Sequence, residues 1–326
     1  MDIVLRQFAQ QFKVPDIALP YITRIVTMDE MRLVLAGADD PLTPETASEA
    51  LGISPRGASK LLESAFRRGV LDRELPETQP RYTPTDFYSR ADAFASFEPE
   101  GWLSLPLDLR EALDEWMMQQ YIGRIRPNVE RLMAGKPAEG SPGNDSILLL
   151  HEADAIIDRA RTIAVIPCDC RSIHRQCDKP LETCIQFNAI AEKKLARGLG
   201  RKLTTDEAKE LVRWADRQGL MHTTDLEFGE EGPAPLCNCC GDDCYVFRAA
   251  ARLGSKGAWP RSRYVATYDP DLCSNCGACT RRCHFNAFVK TDGKISFAPV
   301  RCWGCGLCAN SCPTGAIVMS TMAKPR

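Results

Sequence analysis

Cys273-Ser274-Asn275-Cys276-Gly277-Ala278-Cys279-Thr280-Arg281-Arg282-Cys283 and Cys302-Trp303-Gly304-Cys305-Gly306-Leu307-Cys308-Ala309-Asn310-Ser311-Cys312-Pro313 are two copies of one pattern. Each cysteine of the first copy recurs 29 residues later, and together the copies hold eight of the 16 cysteines in the chain. Three cysteines at intervals of three wrap a short loop whose sulfurs converge on one side, which can hold three corners of a [4Fe–4S] cube. A fourth sulfur must come from elsewhere. Zinc is the competing reading for C-x2-C pairs, but two complete four-cysteine runs in an internal repeat suit iron–sulfur clusters better.

The segment from Val265 to Met322 resembles the bacterial two-cluster ferredoxin domain, whose run C-x2-C-x2-C-x3-C-P is matched by Cys302 to Pro313. That resemblance implies two short hairpins and two short helices around two [4Fe–4S] clusters. It also implies that the last cysteine of each run serves the other cluster. Cys273, Cys276, Cys279 and Cys312 would then hold one cluster, and Cys302, Cys305, Cys308 and Cys283 the second. Ala287-Phe288-Val289-Lys290 and Lys294-Ile295-Ser296-Phe297 flank Thr291-Asp292-Gly293, a hairpin signal with its turn residues in place. His284 stands where the second copy has Pro313, a departure that leaves the ligand set intact.

The 326 residues suffice for two or three domains, and 44% hydrophobic with 26% charged residues is an ordinary globular balance. The longest apolar runs, Ile147-Leu148-Leu149-Leu150 and Ile163-Ala164-Val165-Ile166, have strand length, so no membrane insertion is expected. Met1 to Arg6 lacks a signal-peptide pattern, and many cysteines without an extracellular cue point to metal in a reducing, cytoplasmic setting. A net charge of −2 argues against bulk attraction to nucleic acid or acidic membrane.

Residues 1–136 are expected to form a winged-helix-like helical domain. Thr43 and Ser54 read as N-caps, each followed by proline, and Gly52 and Gly69 suit helix ends. Ala47, Leu51, Ile53, Ala58, Leu61, Leu62 and Ala65 fall at helical spacing and are expected to share one core. Val70 to Glu74 and Arg81 to Thr83 would pair across the turn-rich Leu75 to Pro80. The second helix, with Arg56, Lys60, Arg67 and Arg68, would be the DNA-reading one. Residues 1–100 nevertheless carry eleven basic and sixteen acidic residues, so packing or partner docking ranks above DNA binding. Residues 86–135 read as helical, and Pro137 to Asn144 as a linker.

Residues 145–260 are expected to form a cysteine-rich α/β domain, and 264–322 the two-cluster domain, giving an α+β multidomain chain. Ile163 to Ile166 reads as a buried strand that places Cys168 and Cys170 in the loop at its carboxyl end. Cys184 would begin a helix over Ile185 to Leu199, a second helix would run from Thr205 to Gln218, and Leu220 to Thr223 would be a strand. Cys244 would open a third helix with Asp242 or Asp243 as its cap. Cys168-Asp169-Cys170-Arg171, Cys177, Cys184 and Cys237-Asn238-Cys239-Cys240-Gly241 look like a segment found upstream of two-cluster ferredoxin domains in bacterial and archaeal iron–sulfur proteins. For Cys168, Cys170, Cys177, Cys184, Cys237, Cys239, Cys240 and Cys244 three readings stay open: a further [4Fe–4S] cluster, zinc, or a redox-active thiol site. Cys239 and Cys240 are neighbours and are expected to point apart. Arg171, His174 and Arg175 could tune a nearby cluster or bind an anionic group, but read first as solvated loop charges.

No dinucleotide fingerprint and no phosphate-binding loop is present, and the chain has only four histidines. The expected function is therefore single-electron relay to or from a partner oxidoreductase, as an electron-transfer protein or oxidoreductase subunit rather than a self-contained enzyme. The alternative is a redox-sensing winged-helix transcription regulator.

Overall fold

The computed structural model describes residues 3–74, 80–226 and 235–322. Contacts divide the chain into two units: residues 1–117 with the short pieces Ser172–His174 and Ala196–Leu199, and the remainder. Among the described residues no helix is long and apolar enough to cross a membrane.

In the first unit, local capping sets the helix ends. Thr43 and Ser54 accept hydrogen bonds from the N–H groups of Thr46 and Gly57, opening the helices Pro44–Leu51 and Pro55–Arg67. Gly52 ends the first of these in the left-handed conformation (φ 65°). Ala47, Ala58, Leu62 and Ala65 are buried, whereas Ile53, in the turn between the helices, is 38% exposed and lies outside the expected core. Strands Leu71–Glu74 and Arg81–Pro84 pair antiparallel. Residues 75–79 of the expected turn lie outside the described residues.

Two of the four basic residues on the second helix are committed to carboxylates. Arg68 contacts Glu30 at 2.8 Å and Glu98 at 3.2 Å, and Arg67 pairs with Glu63. Beneath them Arg90 is fully buried, donating to the carbonyls of Ile25 and Arg68 and meeting Glu98 at 2.7 Å.

The second unit is built from small antiparallel sheets. Ile163–Pro167 lies between Glu182–Phe187 and Arg201–Leu203, and Met221–Thr224 lies between Ser146–Leu148 and Cys237–Cys239. Helices Leu150–Ile157 and Thr205–Arg217 cover a core that includes Ile163, Val165, Ile185, Phe187, Val212 and Leu236. Every strand pair in these two sheets is antiparallel. Cys184 corrects an expectation. It sits inside the strand Glu182–Phe187, and the helix begins only at Asn188. A stretch as short as Cys184-Ile185-Gln186-Phe187 fits either a buried strand or a helix turn, and pairing with Ile163–Pro167 decides it.

The last 60 or so residues close on themselves. Tyr264–Tyr268 pairs with Ile317–Thr321, so the two ends of the duplicated segment run side by side. Phe288–Thr291 and Lys294–Phe297 form the expected hairpin around Asp292 and Gly293, both at positive φ. Arg263 makes a two-pronged contact with Glu152, at 2.7 and 2.8 Å. Arg282 and Asn310 both reach the buried Asp216 of the helix Thr205–Arg217.

Two expectations for stability follow. Arg90→Met should cost about 3 kcal/mol, because it removes a buried guanidinium that bonds the Ile25 and Arg68 carbonyls and pairs with Glu98, and urea denaturation would measure it. His222 is buried, its Nδ1 2.7 Å from the Asn238 side-chain oxygen, and burial holds its imidazole below the ordinary histidine range. It stays neutral in the folded chain while the unfolded chain takes up a proton, so its contribution is lost as pH falls below about 6.5. His284 is shifted the same way by burial. His222→Gln should flatten the fall in denaturation midpoint between pH 7 and 5.5, a comparison that isolates this residue.

Candidate metal centres

Two cavities occupy the duplicated segment. The first is lined by Cys273, Cys276, Cys279 and Cys312 together with Ile295, Ala316 and Ile317. The second is lined by Cys283, Cys302, Cys305 and Cys308 with Phe285, Phe288, Trp303 and Met319. Each cavity therefore gathers three sulfurs from one copy and one from the other. The walls between the sulfurs are mostly apolar, and backbone amides aim at the thiols. Asn275 N–H donates to Cys273 Sγ at 3.3 Å, and Gly304 N–H, at the equivalent position, donates to Cys302 Sγ at 3.4 Å. Ala287 N–H donates to Cys283 Sγ at 3.3 Å.

This geometry needs left-handed backbone inside each loop. Asn275 (φ 54°) and Gly304 (φ 72°) are equivalent, and only the second position excludes a side chain outright. A Cβ on Gly304 would lie 2.1 Å from the Tyr264 carbonyl oxygen.

The two cavities differ electrostatically. Cys276 is exposed, and the Ala278 N–H and then the Ser274 hydroxyl hold its thiol below the ordinary cysteine range. At Cys312 burial works upward, but hydrogen bonds from Thr314 prevail and the thiol is lowered. Burial pushes Cys305 up to about 12 and raises Cys308 as well. Four sulfur donors around an apolar hollow, with amides facing them, fit a thiolate-bound cube, whose negative charge those amides stabilise.

His284 also has a visible packing role. Its Nε2 lies 2.6 Å from the Gly219 carbonyl oxygen, and its side chain fills the space beside Gly241, where a Cβ would come within 2.8 Å of it.

The other eight cysteines separate into two groups. Cys168, Cys170, Cys184, Cys237, Cys239 and Cys244 form a chain of interacting sulfurs. Cys168 meets Cys170, and Cys170 meets Cys244. Cys244 Sγ is 3.1 Å from Cys239 Sγ, Cys239 meets Cys237, Cys237 meets Cys184, and Cys184 acts in turn on Cys168. Cys168, Cys170 and Cys237 keep a small accessible edge, although protein packs closely around their sulfurs. The neighbouring Cys170 thiol and then burial push Cys168 well above the ordinary range. Cys237 and Cys244 are driven up as well, the first by Cys184 and Cys239 and the second by burial. Only Cys239 is held low, at about 6, because Cys237 and Cys244 donate to it.

Cys177 and Cys240 gather with Asp243, and the three ligand atoms lie within 4.8 Å of one another. Cys177 Sγ donates to the Asp243 carboxylate at 2.9 Å, and Asp243 N–H donates to Cys240 Sγ at 3.3 Å. Neither Asp242 nor Asp243 is the expected helix cap: the N-cap of Tyr245–Leu253 is Cys244, without a side-chain cap bond. The Asp243 carboxylate accepts instead from the N–H groups of Gln176 and Cys177. Cys170 lies within the helix Asp169–His174 and not in a loop, with Cys168 as the residue before it. Tyr245 N–H donates to Cys170 Sγ at 3.4 Å.

Arg171 corrects another expectation. It is 1% exposed rather than solvated, donating to the carbonyls of Pro180 and Asn238 and to the Thr183 hydroxyl. Burial opposes its charge, but the sulfurs of Cys168, Cys240 and Cys239 outweigh that and hold the guanidinium charged. Periodicity offered no signal for this role.

Residues 272–317 match the family model of the 4Fe-4S dicluster domain. No curated protein matches the chain, and no solved structure does. Match and cysteine content together make this an iron–sulfur protein with a C-terminal ferredoxin-like domain that binds 4Fe–4S clusters.

Proposed function

We propose that the chain relays single electrons through two [4Fe–4S] clusters, to or from a partner oxidoreductase. Cys273, Cys276, Cys279 and Cys312 hold one cluster, and Cys302, Cys305, Cys308 and Cys283 hold the other. The supporting observation is the pair of cavities, each lined by three cysteines of one copy and one of the other. Bound clusters supply one-electron chemistry at potentials tuned by charge, amide hydrogen bonds and solvent access.

The chain's own residues do the tuning. Ile295, Ala316 and Ile317 keep water from the first cavity, and Phe285, Phe288 and Trp303 keep it from the second. The amides of Asn275, Ala287 and Gly304 stabilise negative sulfur, which favours the reduced state. Exposed Cys276 makes the first cavity the side that a partner reaches. The winged-helix regulator ranks below this reading, since Arg67 and Arg68 are paired with acids and Arg56 and Lys60 are the exposed bases left on that helix.

Anaerobically purified protein should carry at least about eight irons with matching sulfide and show a reducible EPR signal. Stoichiometric zinc without a reducible signal would overturn the relay. Gly304→Ala should lose about four of those irons, because the new methyl group meets the Tyr264 carbonyl, while the signal of the first site persists. Iron analysis paired with EPR checks both expectations.

A further inference from the structure

The middle cysteines pose a charge problem that the C-terminal sites do not solve. Six sulfurs arrive from four separate pieces of chain: Cys168 and Cys170 at the helix Asp169–His174, Cys184 in a strand, Cys237 and Cys239 in another, and Cys244 at the start of the helix Tyr245–Leu253. Beside them lies the buried guanidinium of Arg171, whose oxygen partners are all neutral and which also meets the sulfur of Cys240, with Cys168 and Cys239 acting on it from the six. A buried cation with neutral partners is costly unless an anion is close. Metal-bound thiolates supply such an anion, since metal binding removes the thiol protons.

A second observation connects these sulfurs to the second C-terminal cavity and favours a redox metal there. Three residues into the helix that Cys244 opens, the Phe247 ring lies 5.3 Å from Trp303 and 5.5 Å from Phe285, and those two rings stack at 5.0 Å. Trp303 and Phe285 line the second C-terminal cavity. A parallel contact joins His284, next to Cys283, to Gly241, next to Cys240. Zinc has no redox chemistry and gains nothing from this closeness.

We propose that Cys168, Cys170, Cys184, Cys237, Cys239 and Cys244 form the ligand field of a third iron–sulfur centre, which exchanges single electrons with the second C-terminal cluster across Phe247, Trp303 and Phe285. The inference rests on the cluster assignment of that second cavity. In each exchange the C-terminal cluster is oxidised by one electron and the middle centre is reduced by one. The electron comes from the reduced partner protein at the first cavity, for which dithionite substitutes in the test. Cys177 and Cys240 lie outside the ring, held with Asp243.

The test uses the full chain, purified anaerobically. Wild type should contain about twelve or more irons, and Cys239→Ser/Cys244→Ser about eight with the C-terminal EPR signals retained. Cys177→Ser should keep the wild-type iron content. Equal iron in wild type and the double variant, or zinc in place of the extra iron, overturns the third centre. Loss of the C-terminal signals in wild type instead counts against the two-cluster reading. Phe247→Leu, which changes the ring but leaves the Phe247 N–H that bonds the Cys244 sulfur in place, should keep all iron yet slow the appearance of the reduced middle centre several-fold in freeze-quench EPR. An unchanged rate overturns the aromatic route.

Discussion

The antiparallel pairing of Tyr264–Tyr268 with Ile317–Thr321 holds the head of the first cysteine run against the tail of the second. Neither run gathers four sulfurs alone, because the fourth cysteine of each lines the cavity of the other. Closing the segment brings Cys312 to the first cavity and Cys283 to the second. The same pairing fixes the Tyr264 carbonyl, against which only glycine fits at position 304. Strand register and loop conformation are thus one constraint seen from two sides.

The middle segment solves a different problem. Its sheets are small and antiparallel, and their core is ordinary aliphatic packing, including Ile163, Val165, Phe187 and Val212. That packing carries the strands whose cysteines converge beside Arg171. A buried guanidinium and six sulfurs are expensive apart and compatible together, provided that the sulfurs bear charge. Asp216 ties the arrangement to the C-terminal segment, receiving Arg282 and Asn310 on one side with His222 at 3.9 Å on the other.

Local signals in the chain were legible where the physics is local. Thr43 with Pro44, Ser54 with Pro55, and Asp292 with Gly293 each set a backbone turn through a few neighbouring atoms, and each stands where its residue type predicts. Cys184 was misplaced because a four-residue stretch has no periodicity of its own and takes its form from the strand beside it. Ile53 fell outside the core because its place in the turn overrides its helical spacing.

Spacing alone determined that the C-terminal region is a duplicated metal-binding unit, since intervals of three force sulfurs together within one loop. Tertiary structure alone decided that the other eight cysteines separate into six and two, that Asp243 joins the pair, and that Arg171 is buried among them. It likewise gave His284 its seat beside Gly241. These residues meet across tens of positions in sequence, and only the packing of strands and helices brings such distant side chains within contact range.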